Sequence, residues 1–151
     1  MKRAKGKTYI HYGTDNFNPY YMSFERWDKP GGLWASPINS DWVWKSFCKS
    51  ADFRTENLKV FFKFRLQNNA KILKIKRYEE VIPYIIENDN RLELNLDKIK
   101  NEFDAMEVMM SNDWNNLHNS EIFWSWDVDS LVVWNLNKVM PITNKRKRGK
   151  E

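Results

Sequence analysis

KPGGLWASP, residues Lys29–Pro37, is the stretch on which the reading of this chain turns. Pro30, Gly31 and Gly32 form a tight turn, and Leu33–Ser36 then read as a short strand. A strand that only filled a core would not need Ala35-Ser36-Pro37 after its tryptophan. On a strand, Trp34 and Ser36 share one face, so a flat surface and a hydroxyl point the same way. Trp42 and Trp44 follow closely, so three of the eight tryptophans lie within eleven residues. Such a stretch suits a slot for a planar, polar molecule.

Working outward, residues 7–12 (KTYIHY) alternate and read as a strand ending at Gly13. Residues 16–32 form an aromatic loop closed by the Pro-Gly-Gly turn. Asn39 or Ser40 caps a helix expected over 41–49. LKVFFKFRLQ and AKILKIK read as two strands joined at Asn68-Asn69. RYEEVIPYIIEN reads as an amphipathic helix shortened or kinked by Pro83, and NLDKIKNEF as a short helix capped by Asn95. DAMEVMM and DSLVVWNL are apolar enough to be central strands. This order predicts an α+β fold with a mostly antiparallel, strongly bent β-sheet and flanking short helices.

A chain of 151 residues is the size of one domain and can bury roughly two-thirds of its unfolded surface. The net charge of +5 is concentrated at the ends. Residues 1–7 carry four positive charges and residues 145–151 a net +4, which leaves the body at −3. The expected organisation is therefore a basic tail over 1–7, one domain over 8–143 and a basic tail over 144–151. Tails of this composition are expected to be disordered and either solubilise the chain or contact phosphate backbones. No apolar run approaches the roughly 20 residues of a membrane span, and MKRAKGK lacks the apolar stretch of a signal peptide. A cytoplasmic monomer without a membrane partner is the expectation. Cys48 is the single cysteine and reads as a small buried hydrophobe.

Several chemistries lack their residues. None of the five glycines makes a phosphate-cradling loop. His11 and His118 lie far apart without a second metal-ligand pattern. No Gly-x-Ser-x-Gly elbow is present. Recognition of a planar polar ligand remains, with a histidine at a strand end, a tryptophan after a double-glycine turn and carboxylates on late strands.

HYGT (His11–Thr14), GGLWASP followed by a tryptophan-bearing helix, then DAMEV and WDVDSLVVWN, in that order, resemble the ADP-ribosyltransferase superfamily in its branch of diphtheria-type toxins and poly-ADP-ribose polymerases. The resemblance runs from about Tyr9 to Val139. It implies a split β-sheet with a cleft for NAD as substrate, transfer of ADP-ribose to a macromolecular acceptor (protein or nucleic acid), release of nicotinamide, and a setting as a toxin or phage effector. His11 would hold ribose hydroxyls and Gly13 or Thr14 would add backbone and hydroxyl contacts, although Tyr12 interrupts the family's His-Gly order. Trp34 would stack on nicotinamide, Ser36 would reach its carboxamide, and Trp42 or Trp44 would form the opposite wall.

The same resemblance puts the catalytic carboxylate at Asp129, which would share a strand face with Asp127, with Glu107 as the competing position. Each residue also has a plainer reading. His11 could be a satisfied surface or core histidine, Trp34 and Trp42 could be core aromatics, Asp127 and Asp129 could cap the turn into the last strand, and Glu107 in its apolar run demands some partner. The alternative function is a noncatalytic nucleic-acid-binding or protein-interaction module.

Overall fold

A computed structural model of the chain describes residues 6–142. The expectations for the basic tails fall mainly outside the described residues. The chain runs β1 (Tyr9–Tyr12), β2 (Leu33–Pro37), α1 (Trp44–Ala51), β3 (Phe61–Leu66), β4 (Ile72–Ile75), β5 (Ile85–Asn88), β6 (Arg91–Leu94), α2 (Leu96–Glu102), β7 (Ala105–Val108), α3 (Trp114–His118), β8 (Ser130–Val133) and β9 (Val139–Pro141). Seven strands form one sheet in the order β4-β7-β8-β2-β1-β3-β9, and β5 and β6 form a separate hairpin. Every pairing in the large sheet is antiparallel except β4 with β7.

The sequence pattern explains the order. All four residues of β7 and of β8 are buried, which suits strands covered on both faces. In β3, Phe62, Phe64 and Leu66 turn inward while Phe61 and Lys63 face out, the alternation of a sheet with one wet face.

The sheet has to curl. Leu66 and Ile72 are six residues apart, which allows about 20–22 Å of extended chain. In a flat sheet the five strand spacings from β3 to β4 would need about 24 Å. Tyr9 on β1 and Glu107 on β7 are three strands apart, yet Tyr9 Oη lies 2.9 Å from Glu107 Oε2 across the concave face. One core, with Tyr9, Leu33, Phe64, Leu131 and Val133, fills that concavity. A second core, with Ile75, Ile99, Met106, Phe123, Trp126 and Val132, covers the opposite face.

Asn95 caps α2 as expected, its side chain accepting from the Lys98 N–H at 3.3 Å, and Cys48 is buried. Three expectations need correction. The helix predicted over 41–49 starts at Trp44, with Val43 before it and no side-chain cap. RYEEVIPYIIEN is not a helix: two short 3-10 turns, Tyr78–Glu80 and Ile82–Tyr84, lead into β5. The second turn places Pro83 near its start, where its missing N–H costs nothing. Finally, β3 and β4 do not form a hairpin, since β3 pairs with β1 and β9 while β4 pairs in parallel with β7. No helix among the described residues is long and apolar enough to cross a membrane.

Candidate functional site in the split between the first two strands

Strands β1 and β2 lie side by side but separate almost at once. β1 pairs with β3 over four residues, whereas its ladder to β2 holds only Tyr9↔Pro37 and Ile10↔Ser36. The same register would next oppose His11 to Ala35 and Tyr12 to Trp34. Instead β2 is drawn toward β8, where Leu33, Trp34 and Ala35 pair with Val133, Val132 and Leu131. Gly32 permits this approach, because a Cβ there would run into the Val133 carbonyl, and its φ of +156° is one that residues with a Cβ rarely adopt. Gly13 turns β1 away with φ +111° while its N–H donates to Val60.

The His11 ring occupies the opening. Nδ1 lies 2.6 Å from the Trp34 carbonyl oxygen. A carbonyl only accepts, so Nδ1 carries the hydrogen, and in the neutral ring Nε2 is left as an acceptor. Burial pulls the His11 pKa below its ordinary value, and the bond to Trp34 opposes that shift only in part. Burial thus favours the neutral form of His11.

His11 and Tyr12 border two cavities. The first, of about 290 Å³, is lined by Ile10, Trp34, Ala35, Ser36, Trp44, Val128, Ser130 and Lys29 as well. Trp34 packs against buried Trp126 with ring centroids 4.9 Å apart, which fixes its plane at the cavity wall. The second, of about 370 Å³, is lined by Gly13, Thr14, Asn16, Asn18, Tyr21, Leu33 and Phe62 as well. Each approaches or exceeds the lower bound of ordinary small-molecule sites, about 300 Å³.

Five of the six expected binding residues thus border the split: His11 between the cavities, Trp34 and Ser36 in the first, Gly13 and Thr14 in the second. Trp42 does not. It is 46% exposed, and its indole N–H donates to the Asp127 carbonyl at 3.1 Å. Trp44, at the start of α1, takes the wall position. Lys29 and Ser130 were not singled out from the sequence. Ser130 opens β8 directly after Asp129, and a reading that turned Asp129 into the cleft turned Ser130 away from it.

The carboxylates stand elsewhere. Residues 127–129 are a loop with a bend at Val128, so Asp127 and Asp129 do not share a strand face. Asp129 is fully buried and accepts from Ser40 Oγ at 2.6 Å, Ser111 N at 2.8 Å and Ser111 Oγ at 2.7 Å. It ties the entry of β8 to the loops before α1 and α3. Asp127 is solvent-facing, 3.7 Å from His118 Nε2. Glu107 lies on the concave face, where Tyr9 Oη and Lys7 Nζ donate to it at 2.9 and 2.8 Å. Burial, followed by the charge and hydrogen bond of Glu107, raises the Tyr9 pKa. The oddly placed charge of β7 therefore has its partners. Neither Asp129 nor Glu107 lines either cavity, and no lining residue is a carboxylate. Among the described residues, no group of three or more His, Cys, Asp or Glu side chains is placed to hold a metal ion. Compared with known proteins, the chain matches no family model, no curated protein and no solved structure.

Proposed function

We propose that the chain binds a nicotinamide dinucleotide across the β1/β2 split, with the nicotinamide end against Trp34 and the other nucleoside on the Gly13–Thr14 side. The observation that carries this reading is the position of His11, whose free ring nitrogen is an acceptor at the boundary of two adjoining cavities. A sugar hydroxyl there would donate to Nε2. Trp34 and Trp44 offer aromatic surface for a flat ring, and Ser36 and Ser130 offer hydroxyls to an amide. Gly13 has open space where a side chain would begin, so its backbone is accessible to a ligand.

Transfer of ADP-ribose is the reaction that the resemblance attaches to such a cleft. It requires a carboxylate beside the ribosyl carbon as positive charge develops. Asp129 and Glu107 are both engaged in internal hydrogen bonds outside the cavities. That observation favours the alternative of a noncatalytic binding module, and binding without transfer is the form of the function put first.

Titration with NAD, followed by tryptophan fluorescence, tests the binding. A saturable change is expected, weakened in Trp44→Ala by about 1–3 kcal/mol, the scale of aromatic stacking on a base. No saturable change at millimolar NAD overturns the reading. Labelled NAD incubated with a cell lysate, then digested separately with protease and nuclease, tests transfer. Label on either acceptor class that is lost in Asp127→Asn, the one carboxylate of the WDVDS stretch open to solvent, would restore the transferase.

A further inference from the structure

Lys29 brings a positive charge into the first cavity. Two backbone hydrogen bonds between Arg26 and Lys29, at 2.8 and 3.2 Å, close a tight turn that fixes where its side chain starts. The side chain is half-buried, lines the cavity and holds Nζ 5.9 Å from the Trp34 ring centroid. No carboxylate of the described residues is within ion-pair distance of it. Its neighbour Asp28 is fully buried, accepts from Ser125 Oγ at 2.8 Å and faces Arg26 Nε at 3.3 Å. Burial lowers the Lys29 pKa; Arg26 adds to that lowering, while Asp28 and Asp127 oppose it. The remaining side chains with polar groups in the lining are Tyr12, Ser36, Ser130, His11 and the two indoles, Trp34 and Trp44.

An ammonium partly withdrawn from water, with carboxylates near it but none in direct ion-pair contact, is stabilised further when an anion enters beside it. The Ser36 hydroxyl on the same wall can donate to the same anion, whereas the Ser130 hydroxyl donates to the Val128 carbonyl at 3.0 Å. We propose that Lys29 is an anion anchor, so that the first cavity selects the phosphorylated form of a flat-ring nucleoside. This rests on the cleft reading above and adds the chemical class of the ligand: a nucleotide, with its phosphate at Lys29 and its ring against the aromatic wall.

The test compares two ligand pairs that differ by one phosphate, nicotinamide riboside with its mononucleotide and adenosine with AMP, by calorimetry on the parent, Lys29→Met and Lys29→Arg. Met keeps the length and apolar character of the stem, and circular dichroism checks that the variants fold. The parent should prefer a phosphorylated ligand by at least about tenfold, as one charge-assisted hydrogen bond supplies. The preference should shrink with added salt, persist in Lys29→Arg and collapse to within about twofold in Lys29→Met. Equal affinity for both members of both pairs, or a preference that survives Lys29→Met, overturns the anchor. If neither nicotinamide ligand binds while AMP is preferred through Lys29, the nicotinamide assignment fails and the anchor stands.

Discussion

Asp129→Asn separates a structural from a catalytic carboxylate. In the folded chain the Asp129 carboxylate receives three hydrogen bonds, two on Oδ2 from the hydroxyls of Ser40 and Ser111 and one on Oδ1 from the Ser111 backbone. Asparagine can keep the backbone bond by placing its carbonyl at Oδ1. Its amide nitrogen then occupies the Oδ2 position and must donate, so both hydroxyls have to rotate and accept. Ser40 Oγ already accepts from the Trp42 N–H at 3.0 Å, which limits its freedom to do so. Bonds to a charged group contribute roughly 1.5–3 kcal/mol and neutral ones roughly 0.5–1.5. Loss of charge takes about 1–1.5 kcal/mol from each of the three bonds, and the smaller desolvation cost of a buried neutral group returns part of that, so the net cost should be about 2–3 kcal/mol.

Alanine, which leaves the Ser111 N–H and two hydroxyls without their acceptor, should cost about 4 kcal/mol or more. In urea, with slopes of about 1–3 kcal/mol per molar, Asp129→Asn should lower the midpoint by about 1–2 M at unchanged slope. Asp127→Asn, on a solvent-facing side chain, should stay within about 0.5 kcal/mol of the parent. Ligand affinity of the Asp129→Asn protein that remains folded should match the parent within about threefold, because the carboxylate does not line the cavities. Stability within 0.5 kcal/mol of the parent, together with lost NAD-dependent labelling, would refute this reasoning and return Asp129 to the catalytic position.

Two further perturbations test the surroundings of the split. The His11 ring, followed by NMR, should titrate below its ordinary value of 6.5, and a bound sugar hydroxyl on Nε2 should lower it further; a midpoint at or above 6.5 overturns the neutral tautomer. Because the folded pKa is depressed, the unfolded chain takes up the proton first. The His11 contribution to stability should therefore fall as pH drops from about 6.5 to the folded pKa, and level off below it. Tyr9→Phe removes one of the two donors to buried Glu107 and should cost about 1–3 kcal/mol in urea denaturation, with no effect on ligand affinity, since Glu107 lies outside both cavities.

Local chemistry made the cavity wall legible and left the partners of strands hidden. The turn at Pro30-Gly31-Gly32 and the alternation of Trp34 with Ser36 are short-range facts, and both residues border the cavity. Trp42 was exchanged for Trp44 because the helix begins three residues later than its capping signal indicated. Ser40 does use its hydroxyl, but in bonds to the Trp42 N–H and to Asp129. The β3/β4 hairpin failed for a different reason. Two alternating strands joined by an asparagine pair satisfy every local rule for a hairpin, and only the apolar, doubly covered β7 offered β4 a better neighbour. Lys29 was hidden because nothing local distinguishes a lysine at a turn from any solvated lysine.

The WDVDS stretch joins a scaffold role to a cavity-lining one. Asp129 is held by Ser40 and Ser111, and the flanking residues Val128 and Ser130 line the first cavity. A change at Asp129 would loosen the strand that presents Ser130, while Ser40, held by the same carboxylate, lies just before the helix that presents Trp44. Loss of ligand binding in an Asp129 variant is thus ambiguous when measured alone. It counts as chemistry only if the remaining folded protein binds normally and still fails to turn over. A binding loss that tracks the unfolded fraction assigns the carboxylate to the scaffold, which is what its three internal hydrogen bonds predict.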